Sequence, residues 1–136
     1  MSFSERISPF LGRVVIAYFF LSEAWMKLAG FEITVAQLHD EHVPAAAAVL
    51  VVALAIMFLG GLSLVLGYHV RQGALLLFAF TVIVTVVLNA YWTFADSSGR
   101  IAEFEIFVRN MAIAGGLLLI VGLGPGPFAF DNIGGR

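Results

Sequence analysis

Four apolar stretches fill almost the whole of this 136-residue chain and restrict the folds available to it. A helix needs about 20 mostly apolar residues to cross about 30 Å of hydrocarbon, and each stretch is about that long. Continuous apolar runs without strict alternation predict helices rather than barrel strands. The sequence therefore predicts an all-α polytopic membrane protein, a four-helix up-down-up-down transmembrane bundle that forms one domain over residues 1–136. The predicted spans are residues 8–30, 44–67, 70–94 and 107–124.

The composition excludes several classes of protein. With 61% hydrophobic and 12% charged residues, the chain has no room for a separate soluble domain. A net charge of -2 gives no reason to expect a nucleic acid partner. The absence of cysteine excludes thiol chemistry and cysteine-ligated metal centres. The first apolar run is too long for a signal peptide and ends in Glu-Ala-Trp-Met-Lys, so it is interpreted as a retained span.

The connections between the spans predict their order in space. The link at residues 68–72 is so short that spans two and three must be antiparallel neighbours. Residues 96–100 are predicted to form a turn, and Gly124-Pro125-Gly126-Pro127 ends span four. The longest polar connection, residues 31–43, fits either a short interfacial helix or an irregular loop.

The orientation follows from the distribution of lysine and arginine, which favour the cytoplasmic side. With both termini inside, four basic residues lie on the inner side and three on the outer side. We therefore expect a multi-pass protein of the cell inner membrane with both termini in the cytoplasm. The inner set is Arg6, Arg13, Arg71 and Arg136, and the outer set is Lys27, Arg100 and Arg109.

Ionisable side chains within the spans are the strongest pointers to function. Each costs at least about 2.5–3.5 kcal/mol in hydrocarbon and needs a partner or a wet cavity. Glu23 and Lys27 form an i, i+4 pair near the end of span one, and Glu105 and Arg109 repeat it at the start of span four. In the predicted topology these groups reach the same membrane face as the end of span three. The expected lining of one pocket at this face is Glu23, Lys27, Asn89, Trp92, Glu105, Arg109 and Asn110.

Two interpretations of this polar set stay open. It forms either structural salt bridges that fix the helix register or a pocket for a ligand or cofactor; Lys27 also suits snorkelling to the headgroups. Arg109 is expected to contact Glu105 and Glu23, because an unpaired guanidinium at that depth is costly. Such contacts make span four a neighbour of span one. Span three adds an i, i+4 ladder of Thr81, Thr85, Asn89 and Thr93.

Two further patterns have alternative explanations. His39 and His42 are spaced to share a metal, but no third ligand stands at motif spacing, so no metal site is assigned and a solvated loop is the alternative. Small residues let membrane helices approach closely, either within one chain or across a dimer face. They occur as Gly60, Ser63 and Gly67 in span two and as Ala112, Gly115, Gly116 and Gly122 in span four.

The order of several short motifs resembles that of DoxX-like membrane proteins over nearly the full length. The matching features are Arg13, MKLAGF at 26–31, Pro44, GGLSLVLGYHVR at 60–71, RNMAIAGGLLLIVGLGPG at 109–126 and Asp131. This chain departs from many relatives at Met57, where they have glutamate, and at Asn89, where some have histidine. The resemblance implies association with membrane redox systems, such as subunits of thiosulfate:quinone oxidoreductase.

The leading functional hypothesis is an accessory membrane subunit of a redox system that holds a quinone or similar small amphipathic ligand near the outer face. In it, Lys27, Asn89 and Arg109 donate hydrogen bonds to ligand oxygens, Trp92 stacks on the ligand, and Glu23 balances the cations. The expected partners are the bilayer and membrane or peripheral redox proteins, with a homo-oligomer allowed. The rival hypothesis is a non-enzymatic scaffold or chaperone that docks partners on its glycine faces.

Overall fold

The computed structural model of the chain describes residues 2–88, 97–129 and 131, and within them it contains five helices and no strand. Four of the helices are long and apolar enough to cross a membrane, which confirms the predicted number of spans. The helices are α1 (Phe3–Ala29), α2 (Phe31–Asp40), α3 (Ala46–Leu66), α4 (Val70–Leu88) and α5 (Ser97–Leu123).

The first helix begins before the predicted span because a polar capping box fixes its start. The Ser2 hydroxyl accepts a hydrogen bond from the Glu5 backbone N–H at 3.2 Å, and the Glu5 carboxylate accepts the Ser2 N–H at 2.8 Å. At 27 residues, α1 is about 40 Å long, which exceeds the hydrocarbon thickness. Apolarity marks the part of a helix that lies in lipid, and α1 continues beyond that part.

The polar connection after α1 is helical, which decides between the two forms predicted for residues 31–43. Helix α2 follows Gly30 directly and packs on α3 and, less extensively, on α1. The chain then turns through His42 and Ala45, whose positive φ angles are 64° and 49°. Span two therefore begins at Ala46, slightly after the predicted start at Pro44.

Helices α3 and α4 form a tight antiparallel hairpin, as the short link between them predicts. Gly67 ends α3 with φ of 73°, a left-handed conformation that suits glycine. The hairpin is close-packed: a Cβ on Gly60 would lie 2.5 Å from Leu77 Cγ, and one on Gly73 would lie 2.3 Å from Ser63 Oγ. Gly60 therefore serves contact within the chain, one of the two roles proposed for the small residues of span two, and Gly73 serves the same contact from α4.

The last helix packs mainly on α4 and touches α1 at only a few points. It begins at Ser97, so the turn predicted at residues 96–100 is wrong for 97–100. As in α1, the helix continues from the hydrocarbon into the polar interface, so its first residues are helical although they are not apolar. The predicted span three extended to residue 94, but its last residues, including Asn89 and Trp92, lie outside the described part of the chain.

The up-down-up-down path gives the bundle two ends. We call the end where α1 begins and α5 ends the terminal face, and the end where α1 ends and α5 begins the distal face. Helix α2 lies at the distal face. The core between the two faces is formed by Ala17, Phe20, Ala24, Leu50, Leu54, Met57, Leu64, Val70, Ala74, Leu77 and Leu117.

Candidate functional site

A cleft of about 260 Å³ lies between the four spanning helices toward the distal face, and we call it the distal cleft. Its walls combine apolar and aromatic side chains with a group of polar ones. The lining residues are Phe19, Phe20, Glu23 and Lys27 of α1, Met57 of α3, Phe80, Thr81, Val84, Thr85 and Leu88 of α4, and Ile106, Arg109 and Asn110 of α5.

The α1 side of the distal cleft carries an ion pair. Lys27 Nζ donates to Glu23 Oε1 at 2.9 Å across one helical turn, which confirms the predicted i, i+4 pair. The side chains are 39% and 35% exposed, so the pair lies at the mouth of the cleft and not in its interior. A half-exposed pair of this kind stabilises a helix by only about 0.3–0.5 kcal/mol.

The opposite side of the cleft is a chain of hydrogen bonds that begins at Arg109. The guanidinium donates to Asn110 Oδ1 through Nε at 3.4 Å and Nη2 at 3.3 Å, and it lies 5.7 Å from the centre of the Phe19 ring. Asn110 Nδ2 in turn donates to Thr85 Oγ1 at 3.1 Å. This chain of polar groups joins α5 to the buried side of α4.

The predicted contacts of Arg109 with Glu105 and Glu23 are wrong. Lys27–Glu23 is the ion pair found among the described residues, and Arg109 takes an amide and an aromatic ring instead. The helix arrangement explains the missing contact with Glu23, because α5 packs mainly on α4. Glu105 lies one turn away on α5 itself, but it is exposed and Arg109 is exposed at the mouth, where such a pair contributes little. A guanidinium in that position does not require a carboxylate to offset desolvation.

Deeper in the distal cleft, α4 presents two buried threonines with different surroundings. Thr85 is fully buried and is bonded to Asn110. Thr81 is 5% exposed, and its Oγ1 has no hydrogen-bond partner within residues 2–88, 97–129 and 131. An unpaired hydroxyl in a membrane interior is costly, so Thr81 is an unusual feature of the cleft.

The structure brings together only part of the predicted site. Glu23, Lys27 and Arg109 line the distal cleft, whereas Glu105 is exposed on α5 and does not line it. Asn89 and Trp92 fall outside the described residues. The sequence placed Thr81 and Thr85 on one ladder but did not indicate that this ladder faces the cleft. The aromatic walls were likewise missed, because phenylalanines in an apolar span resemble ordinary packing residues.

A second, larger depression of about 520 Å³ lies against the turn between α2 and α3 and includes His39, Asp40 and His42. All of its lining residues come from one short segment of the chain. Within the described residues, no three His, Cys, Asp or Glu side chains are grouped closely enough to hold a metal ion. We therefore regard the distal cleft as the better candidate for a site.

The terminal face carries a separate polar cluster around Arg13, which is 1% exposed. Arg13 Nη1 donates to the Leu64 carbonyl at 2.6 Å, and Nη2 donates to the Phe128 carbonyl. Asp131 accepts the backbone N–H groups of His69 at 2.6 Å and Val70 at 3.0 Å, which caps α4. We call this cluster the terminal clasp, since it fastens the segment after α5 to α1, α3 and α4.

Comparisons with known proteins agree with this architecture. The DoxX family model matches residues 8–90. The chain is 27% identical to inner membrane protein YqjF of Escherichia coli over 95% of this chain and 93% of that protein. It is 26% identical to inner membrane protein YphA of Escherichia coli over 90% and 86%, respectively. It is also 32% identical to a Surfeit locus protein 4 homolog of Drosophila melanogaster, over 89% of this chain but 38% of that protein.

No solved structure matches the chain. The four apolar helices and the two bacterial relatives support a multi-pass protein of the inner membrane. The family model covers more than half of the chain, and it includes most of α1 and all of α2, α3 and α4. The chain therefore belongs to the DoxX family.

Proposed function

We propose that this protein binds a small amphipathic ligand, with the polar head of the ligand in the distal cleft and its tail between the helices. The observation that carries the proposal is the cleft itself, which places Lys27, Arg109 and Asn110 beside aromatic walls inside an otherwise apolar bundle. Ligand sites are mostly apolar cavities with a few polar groups that orient the ligand. The distal cleft has this composition.

A quinone is the ligand that fits these residues best. Lys27 and Arg109 supply charged hydrogen-bond donors for carbonyl oxygens, and Phe19, Phe20 and Phe80 supply apolar walls for a ring. The volume of about 260 Å³ is slightly below the ~300 Å³ at which sites for drug-sized molecules begin. It therefore suits a head group more than a whole molecule. The roles proposed for Asn89 and Trp92 remain predictions.

The redox context of this ligand comes from the family resemblance. In that context the protein is an accessory membrane subunit that holds a quinone for a membrane or peripheral redox partner. With both termini in the cytoplasm, the distal cleft opens toward the outer side of the membrane. Reporter fusions test this orientation: the fusion at Gly99 should report the outer side and the fusion at the C-terminus the cytoplasm. The same side for both would refute the topology itself.

Ligand binding is tested on the purified protein. Lipid extraction followed by mass spectrometry should find an enriched quinone, and a decyl-chain 1,4-benzoquinone should raise the melting temperature in detergent. Arg109→Gln should reduce that rise, whereas Arg6→Gln, a change of the same type at an exposed position on the terminal face, should leave it unchanged. No enriched molecule together with no thermal shift would overturn the proposal.

A scaffold or chaperone is the second candidate, and one observation favours it. A Cβ on Gly115 or Gly122 would meet nothing within 4 Å, so these two glycines of α5 leave an open face for another helix. Gly60 and Gly116 face Leu77 and Ile16 of the same chain and are not part of this face. Under this hypothesis, Gly115→Leu abolishes co-purification of a partner or a second copy, whereas Arg109→Gln has no effect on it.

A further inference from the structure

Among the buried helical hydroxyls of the described residues, that of Thr81 is the one without a hydrogen-bond partner. A threonine in a helix commonly satisfies its hydroxyl by donating to the carbonyl one turn earlier. Thr34 does so, with Oγ1 donating to the Gly30 carbonyl at 3.0 Å, and Ser22 donates to the Phe19 carbonyl at 3.1 Å. Thr81 has no such bond and no other partner in the described part of the chain, although it is 5% exposed.

Thr81 also lies at the buried end of a line of polar groups. Arg109 at the mouth donates to Asn110, and Asn110 donates to Thr85. Thr81 is one turn away from Thr85 on the same face of α4, about 6 Å along the helix axis. All four side chains line the distal cleft. A head group bound in the cleft can therefore contact Arg109 at the mouth of the cleft and Thr81 at its buried end.

We propose that Thr81 is a specificity-determining residue that hydrogen-bonds a second oxygen of the ligand, at the end of the head group opposite to Arg109. This inference rests on the proposed function and deepens it by assigning the residue that distinguishes between head groups. It selects a six-membered ring with oxygens at opposite positions, of the quinone or quinol type. A head group with one oxygen leaves the Thr81 hydroxyl unsatisfied, and it gains less from the site.

The physical basis of the selection is the cost of an unpaired buried hydroxyl. Without a ligand, Thr81 carries that cost, so Thr81→Val, which keeps the side-chain shape, should raise the melting temperature of the ligand-free protein. With a two-oxygen ligand, the hydroxyl is satisfied and contributes to affinity. The same substitution should therefore stabilise the free protein and weaken its preference for the ligand, a combination that a purely structural threonine does not give.

The test compares three probes that share a decyl tail. One is 2-decyl-1,4-benzoquinol, and the others are 2-decylphenol and 3-decylphenol, which each lack one of its two hydroxyls. The wild type should bind the quinol about tenfold more tightly than whichever phenol binds more tightly. A tenfold ratio of dissociation constants corresponds to about one hydrogen bond. Thr81→Val should reduce that preference to about twofold or less. Thr81→Ser keeps the hydroxyl and should retain the preference.

The outcomes separate this inference from the proposed function. If the wild type binds none of the three probes, the proposed function and the role of Thr81 both fail. If the wild type binds the quinol but Thr81→Val retains the full preference over the phenols, only the role of Thr81 fails. If Thr81→Val does not fold, loss of preference in Thr81→Ser overturns the role of the hydroxyl.

Discussion

The terminal clasp gives the sharpest stability prediction, because Arg13 is buried and its two hydrogen bonds end on backbone carbonyls of distant segments. Leu64 lies in the last turn of α3, and Phe128 lies in the segment after α5. The guanidinium also lies 5.6 Å from the centre of the Phe10 ring. One forked cation thus joins three parts of the chain. We compare Arg13→Met, which removes the charge and the donors, with Arg13→Lys, which keeps the charge but not the fork.

The magnitude follows from opposing contributions to the free energy of unfolding. A hydrogen bond to a charged group contributes about 1.5–3 kcal/mol, so losing both costs about 3–6 kcal/mol. Arg13→Met also removes a charge whose presence in a span costs about 2.5–3.5 kcal/mol. The difference runs from about −0.5 to about 3.5 kcal/mol, so the expected net loss is about 1.5 kcal/mol. Arg13→Lys retains the cost of the charge and reaches both carbonyls poorly, so it should destabilise at least as much as Arg13→Met.

The measurement is reversible unfolding in maltoside micelles titrated with SDS, followed by the helical circular dichroism signal. Arg6→Met is the matched control because Arg6 is exposed, and its loss should lie within about 0.5 kcal/mol of the wild type. If Arg13→Lys matches the wild type while Arg13→Met loses more than about 1.5 kcal/mol, charge alone explains Arg13 and the argument from the fork is refuted.

Further predictions test the helix packing and the polar line of the distal cleft. Gly60→Ala should lower the free energy of unfolding by about 1 kcal/mol, because its Cβ would overlap Leu77. Gly115→Ala should raise that free energy by up to about 1 kcal/mol, because its Cβ would meet open space. The opposite ranking of the two variants in SDS unfolding would contradict the packing. Thr85→Val should lower the free energy of unfolding by about 1 kcal/mol, because Asn110 Nδ2 loses its acceptor. A melting temperature equal to that of the wild type would show that this hydrogen bond contributes nothing.

The helical architecture could be predicted from the sequence because the bilayer restricts a spanning chain so strongly. Apolar runs of sufficient length have few alternatives to transmembrane helices, and the short link at residues 68–72 fixed the α3–α4 hairpin. The ends of the helices were less predictable. Helices α1 and α5 continue into polar surroundings, where helix formation depends on capping and not on hydropathy.

The candidate site was only partly predictable, since charge pairing was used to place the helices. Glu23 and Lys27 pair within one helix, and such local contacts follow from spacing. Spacing is not sufficient, however, because the pair of Arg109 with Glu105 on α5 has the same spacing and does not form, and spacing carries no information about which helix lies next to α5. Asp131 shows the same limit: it caps α4 from far along the chain, and only its place in the family pattern marked it beforehand.

The two ends of the bundle differ in a way that bears on the open choice between structural salt bridges and a ligand pocket. At the terminal face, Arg13 Nη1 and Nη2 reach carbonyls and both carboxylate oxygens of Asp131 accept a backbone N–H, whereas the buried Arg13 Nε has no partner in the described part of the chain. Most of these polar atoms are used in contacts within the protein, as expected of groups that fix the helix register. At the distal cleft, Arg109 has an amide and a ring rather than a carboxylate, and the buried Thr81 hydroxyl has no partner in the described part of the chain. Because Thr81 lines a cleft that a small molecule can enter, its unpaired hydroxyl favours a ligand as the missing partner.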